Sequence, residues 1–167
     1  MEDTEFAPLI DVSQSTLDDL VAGAKRSDRH RLNLNLHVSP DEVCQRFFNA
    51  MEPETYVRPN RQLSPPKRKL LVGIRGRFAA VIFNDVGDIE QSYIFGAGSD
   101  VNCAVEVPAG VWNSIVCLES GSILLEVKSG PFNPDEPPEL APWSPEAETL
   151  QSVQFLERLK HVLTEIS

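Results

Sequence analysis

The side chains that most often carry chemistry are sparse in this chain. His30, His37 and His161 stand far apart and show no metal-ligand spacing. His37 reads as a hydrogen-bonding residue of an early strand rather than a ligand or base. Cys44, Cys103 and Cys117 are equally scattered, with no Cys-x-x-Cys pair, so they read as reduced core thiols. The densest basic run is Lys67-Arg68-Lys69, followed by Arg75 and Arg77. In strands these residues alternate between two faces, which makes a local site and not an extended basic surface. The formal net charge of −10 argues in the same direction and excludes a nucleic-acid-binding surface.

The length, 167 residues, suits a single hydrophobic core. No apolar run approaches the roughly 20 residues of a membrane-crossing helix, so no membrane partner is expected. The start, Met1 to Val12, is acidic and lacks the basic and apolar parts of a secretory signal. A cytoplasmic protein is therefore expected.

Ser15 is placed to cap a helix through about Lys25, with Leu17, Leu20, Val21 and Ala24 at helical spacing and Asp18 and Asp19 in the first turn. Arg31 to His37 alternates strictly, putting Leu32, Leu34 and Leu36 on one face, and predicts a strand. Ser39-Pro40-Asp41-Glu42 has the residue order of a helix start and predicts a second helix through about Met51. From Thr55 the pattern turns to short β-branched and aromatic runs. Strands are predicted at 70–74, 78–83, 89–95, 101–107, 111–118 and 122–127, with hairpin turns at 84–88 and 119–121. Prolines make 130–145 an extended covering segment or linker rather than an internal strand of a sheet. Ser144-Pro145-Glu146 predicts a last helix whose stripe, Leu150, Val153, Leu156, Leu159, Val162 and Leu163, needs a partner surface. The organisation is thus 1–52 as a helix-strand-helix segment packed on a barrel, 53–132 as the barrel, and 133–167 as the proline-rich segment and final helix.

Several ordered motifs carry a resemblance. Arg31-Leu32-Asn33-Leu34-Asn35-Leu36-His37, Gln45-Arg46, Tyr56-Val57-Arg58-Pro59, Leu71-Val72-Gly73-Ile74-Arg75-Gly76-Arg77, Pro108-Ala109-Gly110-Val111-Trp112 and Leu124 through Phe132 together resemble the WbuC-type cupin-fold metalloprotein family. The likeness spans roughly Leu9 to Trp143. It implies a mainly β, double-stranded β-helix (jelly-roll) barrel with N-terminal helices and a C-terminal helix. Relatives of this type are often associated with surface-polysaccharide gene clusters, without a firmly assigned reaction. Metal-holding cupins use a His-x-His pair, a glutamate and a later histidine. By that resemblance the four positions fall here on Asn60, Gln62, Lys69 and Asn113. Carboxamides are poor ligands for transition metals and a protonated lysine repels a cation. No metal and no cofactor is expected.

If Asn60 and Gln62 point inward, strand parity puts Tyr56 and Arg58 on the same face, with Lys69 opposite and Asn113 and Cys117 on a later strand. That set, Tyr56, Arg58, Asn60, Gln62, Lys69 and Asn113, describes a polar, locally positive mouth for a hydroxylated or anionic small molecule. The structural alternatives are that Lys69 reaches the rim or pairs with Glu126 or Glu106, and that Arg58 lies on the surface. Equally, Asn60, Gln62 and Asn113 can form a closed polar network, and Trp112 can serve packing alone. Three functional classes follow: a metal-free binding protein for a sugar-related or carboxylated ligand, a metal-independent epimerase or isomerase using Lys69 or Tyr56 for proton transfer with Arg58 as anchor, and a non-catalytic scaffold. A homodimer is expected from the habit of cupins.

Overall fold

The computed structural model describes residues 9–166, so the acidic start through Pro8 lies outside the described residues. Helix α1 (Gln14–Arg26) is capped by Ser13, whose hydroxyl accepts the Thr16 N–H. That cap lies two residues before the expected Ser15, so Asp18 falls beyond the first turn and instead pairs with Arg75 at 2.7 Å.

The strands are β1 (Arg31–Asn35), β2 (Cys44–Met51), β3 (Asn60–Arg61), β4 (Lys69–Arg75), β5 (Arg77–Phe83), β6 (Ile89–Gly96), β7 (Ala104–Val107), β8 (Trp112–Cys117), β9 (Ser122–Ser129) and β10 (Glu139–Leu140). They form two five-stranded antiparallel sheets, β1-β2-β9-β4-β7 and β10-β3-β8-β5-β6. The sheets face one another as a jelly-roll barrel, the fold class expected from the sequence. Between them lies an apolar core that includes Met51, Leu71, Phe78, Phe95 and Leu124, with the Phe78 and Phe95 rings stacked at 5.5 Å.

A helix covers the outer face of each sheet. Leu17, Leu20 and Ala24 of α1 pack on Ala50 and Ile123 of the first sheet. Helix α2 (Leu150–Ile166) sets Leu156, Leu159 and Leu163 on Ala79, Val81 and Val116 of the second. This is why Phe78 to Phe83 of β5 is an unbroken apolar run: the strand lies between β8 and β6 and is covered on both faces.

Three expectations are corrected. Residues 44–51 are strand β2, not a second helix, so α1 is the one N-terminal helix among the described residues. Ser39 to Glu42 instead makes a turn, where the Glu42 carboxylate accepts the Val38 and Ser39 N–H groups. Beyond it the chain pairs with both β1 and β9, which satisfies its backbone and outweighs the local start signal. Helix α2 begins at Leu150, because Thr149 and Ser152 cap each other's N–H groups there. Its stripe is consequently narrower: Leu150 and Val153 are exposed. Among the cysteines, Cys117 is a core thiol and burial pushes it up to about 11, but Cys103 is exposed and Cys44 half-buried.

The two sheets touch at one corner, where Gly73 of β4 meets Gly96 of β6. A Cβ on Gly73 would sit 2.3 Å from the Gly96 Cα, and the adjoining Ala97 N–H donates to the Gly76 carbonyl. Backbone cannot give way there as a flexible side chain would. Gly73→Ala is expected to lower stability by about 3 kcal/mol, read as a drop in the urea midpoint with unchanged slope.

Candidate functional site

In an antiparallel pair, directly opposed residues share a face. The register of the first sheet therefore sorts its inner side chains into rows. Gln45, Lys128, Lys69 and Val107 form one, Asn35, Phe47, Glu126, Leu71 and Val105 the next, and Asn33, Asn49, Leu124 and Gly73 a third. The half of this face built from β4 and β7 is largely apolar, and the half built from β1 and β2 is largely polar. At their junction stand two lysines and one glutamate.

Lys128 Nζ lies 3.5 Å from a Glu126 oxygen and 5.3 Å from the centre of the Phe47 ring. Lys69 is directly opposite Lys128 on the neighbouring strand. Enclosure pulls the Lys69 ammonium below the ordinary lysine value; Glu126 acts against that fall and Lys128 adds to it. Of the two partners foreseen for Lys69, Glu126 is the one that faces it, because Glu106 pairs with Arg68 at 3.1 Å. The trio carries one net positive charge when both lysines are protonated. Beside it opens a groove of about 360 Å³ lined by Asn33, Asn35, His37, Gln45, Phe47 and Lys128, with Phe132 at its edge. His37 is the structural residue expected, its Nδ1 lying 3.1 Å from the Arg46 N.

The six residues singled out from the sequence divide into four groups. Asn60 and Asn113 are direct strand partners, and Asn113 Nδ2 donates to the Asn60 and Val111 carbonyls. The Asn113 Oδ1 is left buried without a partner, as is the Asn49 Oδ1 on the facing sheet. Lys69 lies on the opposite sheet, as foreseen. Gln62 reaches the rim, where its amide donates to the Glu136 carbonyl and it shares a narrow crevice with Gln45 and Lys128.

Tyr56 and Arg58 are the correction: both point out of the barrel. The Tyr56 hydroxyl donates to the Pro145 carbonyl and its ring packs edge-on against Phe155. The Arg58 guanidinium donates to Ser144 Oγ and the Ser144 carbonyl. Parity fails because regular pairing begins only at Asn60, and in the irregular stretch before it Val57 packs against the core. Trp112 serves packing, with its indole N–H donating to Asp85 and the Arg61 guanidinium 4.0 Å above its ring.

The donor set does not fit the metal that the fold customarily holds. Asn60, Gln62, Lys69 and Asn113 offer neutral carboxamides and an ammonium, and the nearest carboxylate, Glu126, is engaged by Lys128. Among the described residues no group of three histidines, cysteines or carboxylates is placed to hold an ion.

A family model described as a domain of unknown function, DUF6016, matches residues 12–95, half of the chain. The chain belongs to that family. No curated protein matches it in sequence. In fold, this DUF6016 chain is similar to protein SO0799 from Shewanella oneidensis, with 11% identity and a TM-score of 0.56 over 90% of this chain and 96% of that one. It is also similar to the capsular polysaccharide assembling protein CapF from Staphylococcus aureus, with 16% identity and a TM-score of 0.52 over 81% of this chain and 31% of that one. A cupin superfamily protein from Desulfitobacterium hafniense matches at 13% identity and a TM-score of 0.48, over 66% of this chain and 86% of that one.

Of the residues missed from sequence, Gln45, Phe47 and Asn49 follow from one misreading, and Lys128 lies just past the expected end of its strand at Val127. Once 44–51 is taken as a strand, parity places the first three inside, and Lys128 follows Glu126 at a spacing of two. The opposed charges make a direct prediction. Lys69→Met should leave stability unchanged or raise it, since the enclosed ammonium is lost and its stem kept. Glu126→Gln should cost about 1–3 kcal/mol by leaving two ammonium groups face to face. Chemical denaturation of both single variants and the double variant checks this, the double being expected to recover part of the Glu126→Gln loss.

Proposed function

We propose that this protein is a metal-free cupin that binds a small, hydroxylated, singly charged anion of the sugar-acid type in the polar half of its barrel. The observation that carries the reading is the Lys69 and Lys128 pair, opposed by one carboxylate, beside a groove lined with amides. The ammonium groups supply the charge for a carboxylate, and the Asn33, Asn35 and Gln45 side chains supply donors and acceptors for hydroxyls. Phe47 and Phe132 give the groove apolar surface of the kind on which a sugar ring rests. The resemblance to WbuC-type cupins and the shared fold with CapF support a place in surface-polysaccharide metabolism.

A second reading rests on Lys69 alone. An amine with a lowered pKa, beside a carboxylate, is suited to move a proton, so a metal-independent epimerase of the same ligand class is the alternative. Wash-in of solvent deuterium at a sugar-acid carbon would select it; binding without exchange selects the binding protein.

Binding carries a sign. An anion near Lys69 favours its charged form and raises its pKa. The complex should therefore take up a proton wherever the pH approaches or exceeds the lowered free-site value, and affinity should fall as pH climbs through and above that value. Calorimetry of galacturonate binding to tag-free, chelator-treated protein, in two buffers of different ionisation enthalpy, measures this directly. Expected are saturable binding, proton uptake that grows as pH is raised toward the free-site value of Lys69, at least tenfold weaker binding of galactose, and a similar loss in Lys128→Met. Absence of saturable binding by any hexuronate, or binding that appears only with added metal, defeats the proposal.

A further inference from the structure

At the other end of the barrel, away from the lysines, a second enclosure of about 330 Å³ lies between the start of β1, the 52–56 loop and the first turn of α2. Its apolar lining is Tyr56, Val153 and Leu156, and Arg31 lies among these residues. The Arg31 guanidinium is half-buried. It spends one N–H, on Nη1, in a 3.0 Å bond to the Tyr56 carbonyl, and among the described residues no carboxylate pairs with it. A guanidinium has five N–H donors in a planar fork matched to a carboxylate, so most of this group's donor capacity is left open toward the enclosure.

Two further observations bear on what fits. At the start of α2 the Ser152 N–H donates to Thr149 Oγ1 and the Thr149 N–H to Ser152 Oγ, and Arg31 is the half-buried charged donor of the enclosure, Arg29 being exposed. The rim carries Asp28, Glu54, Glu148 and Glu157 together with Arg29 and His30, an acid-rich border that disfavours multiply charged anions such as phosphates. The chain conformation is committed here too: His30 and Glu148, the two non-glycine residues with positive φ among those described, both line this enclosure, at +55° and +63°. Such conformations persist where surrounding contacts fix them, and the His30 carbonyl is held by the Thr55 hydroxyl at 2.6 Å and the Glu52 N–H at 2.9 Å.

We propose that this enclosure is a second binding site, for an organic monocarboxylate with an apolar body, in which the Arg31 fork takes the carboxylate and Tyr56, Val153 and Leu156 take the body. Burial supports the same assignment: it pulls the Arg31 guanidinium down to about 10, Arg29 adding to the effect, so an arriving carboxylate relieves an existing cost. The site is independent of the barrel mouth and of the function proposed for it.

The test is an NMR titration of the labelled full chain with 3-phenylpropionate, L-phenylalanine and the neutral 3-phenylpropionamide, following the Arg31 Nε–H signal. Saturable shifts with the acids and at least tenfold weaker binding of the amide are expected. Arg31→Met should weaken the acids by at least tenfold. Val153→Trp, at an exposed rim position, should do the same by filling the enclosure without touching the core, and it serves where Arg31→Met fails to fold. Lys128→Met should bind as the wild type does, which separates this site from the barrel mouth. Phenylalanine binding above phenylpropionate would mean that the rim acids also hold an ammonium; the reverse order would mean a plain carboxylate ligand, and either supports the site. Equal binding of acid and amide, undiminished binding in a folded Arg31→Met or Val153→Trp variant, or no saturable shift with either acid would overturn it.

Discussion

Two ammonium groups and a carboxylate face the interior of this barrel because the register of β2, β9 and β4 leaves them nowhere else to go. The pairing that puts Leu71 and Leu124 into the apolar core also puts Lys69, Glu126 and Lys128 on the same side of the sheet. A shift of one residue would send the charges to the outer face and bury Leu70 and Val72 in their place. Core and site are therefore one decision of strand pairing, and neither can be adjusted alone. The Gly73 and Gly96 contact serves that pairing, since the sheets can meet at that corner only if neither residue carries a side chain.

The barrel interior is consequently graded. Toward β4, β5 and β6 it is packed with aliphatic and aromatic side chains, and toward β1 and β2 it becomes amide-lined and open. The second region is open to solvent and the first is closed by packing. The polar residues are tolerated because most of their amide groups find backbone partners; the Asn49 and Asn113 oxygens do not, and a buried acceptor left without a donor is costly. Both lie on the inner faces, toward the open half.

Much of this was legible in the sequence, and the failures have physical causes. The β-branched and aromatic runs at 78–83 and 122–127, the Asn84 to Asp88 turn and the Glu119 to Gly121 turn marked the second half of the barrel well, because strand and turn chemistry agreed there. In the first half they disagreed. Ser39-Pro40-Asp41-Glu42 offers the local signature of a helix, while the pairing that makes 44–51 a strand comes from β9, about eighty residues later in the chain. Local chemistry cannot register such a partner. The same misreading hid Gln45, Phe47 and Asn49 from the site, while Lys69 and Asn113 were found because they stand at positions a family motif marks. Tyr56 and Arg58 were assigned by extending strand parity into a segment with no ladder to enforce it.

The segment from Pro131 to Pro145 is strapped to the body mainly through its own carbonyl oxygens. Lys67 donates to the carbonyl of Pro131, Gln62 to that of Glu136, Arg58 to that of Ser144 and Tyr56 to that of Pro145. Every amino acid carries that acceptor, so the information for the strap's course is stored in the barrel side chains that grip it. Within the strap, the Arg61 partner Glu139, the buried Ala141, the partly buried Trp143 and the buried Ser144, whose hydroxyl accepts from Arg58, are constrained in identity. The rest is free to drift among homologues while the route stays fixed, so a diverged sequence between 131 and 145 need not signal a diverged architecture.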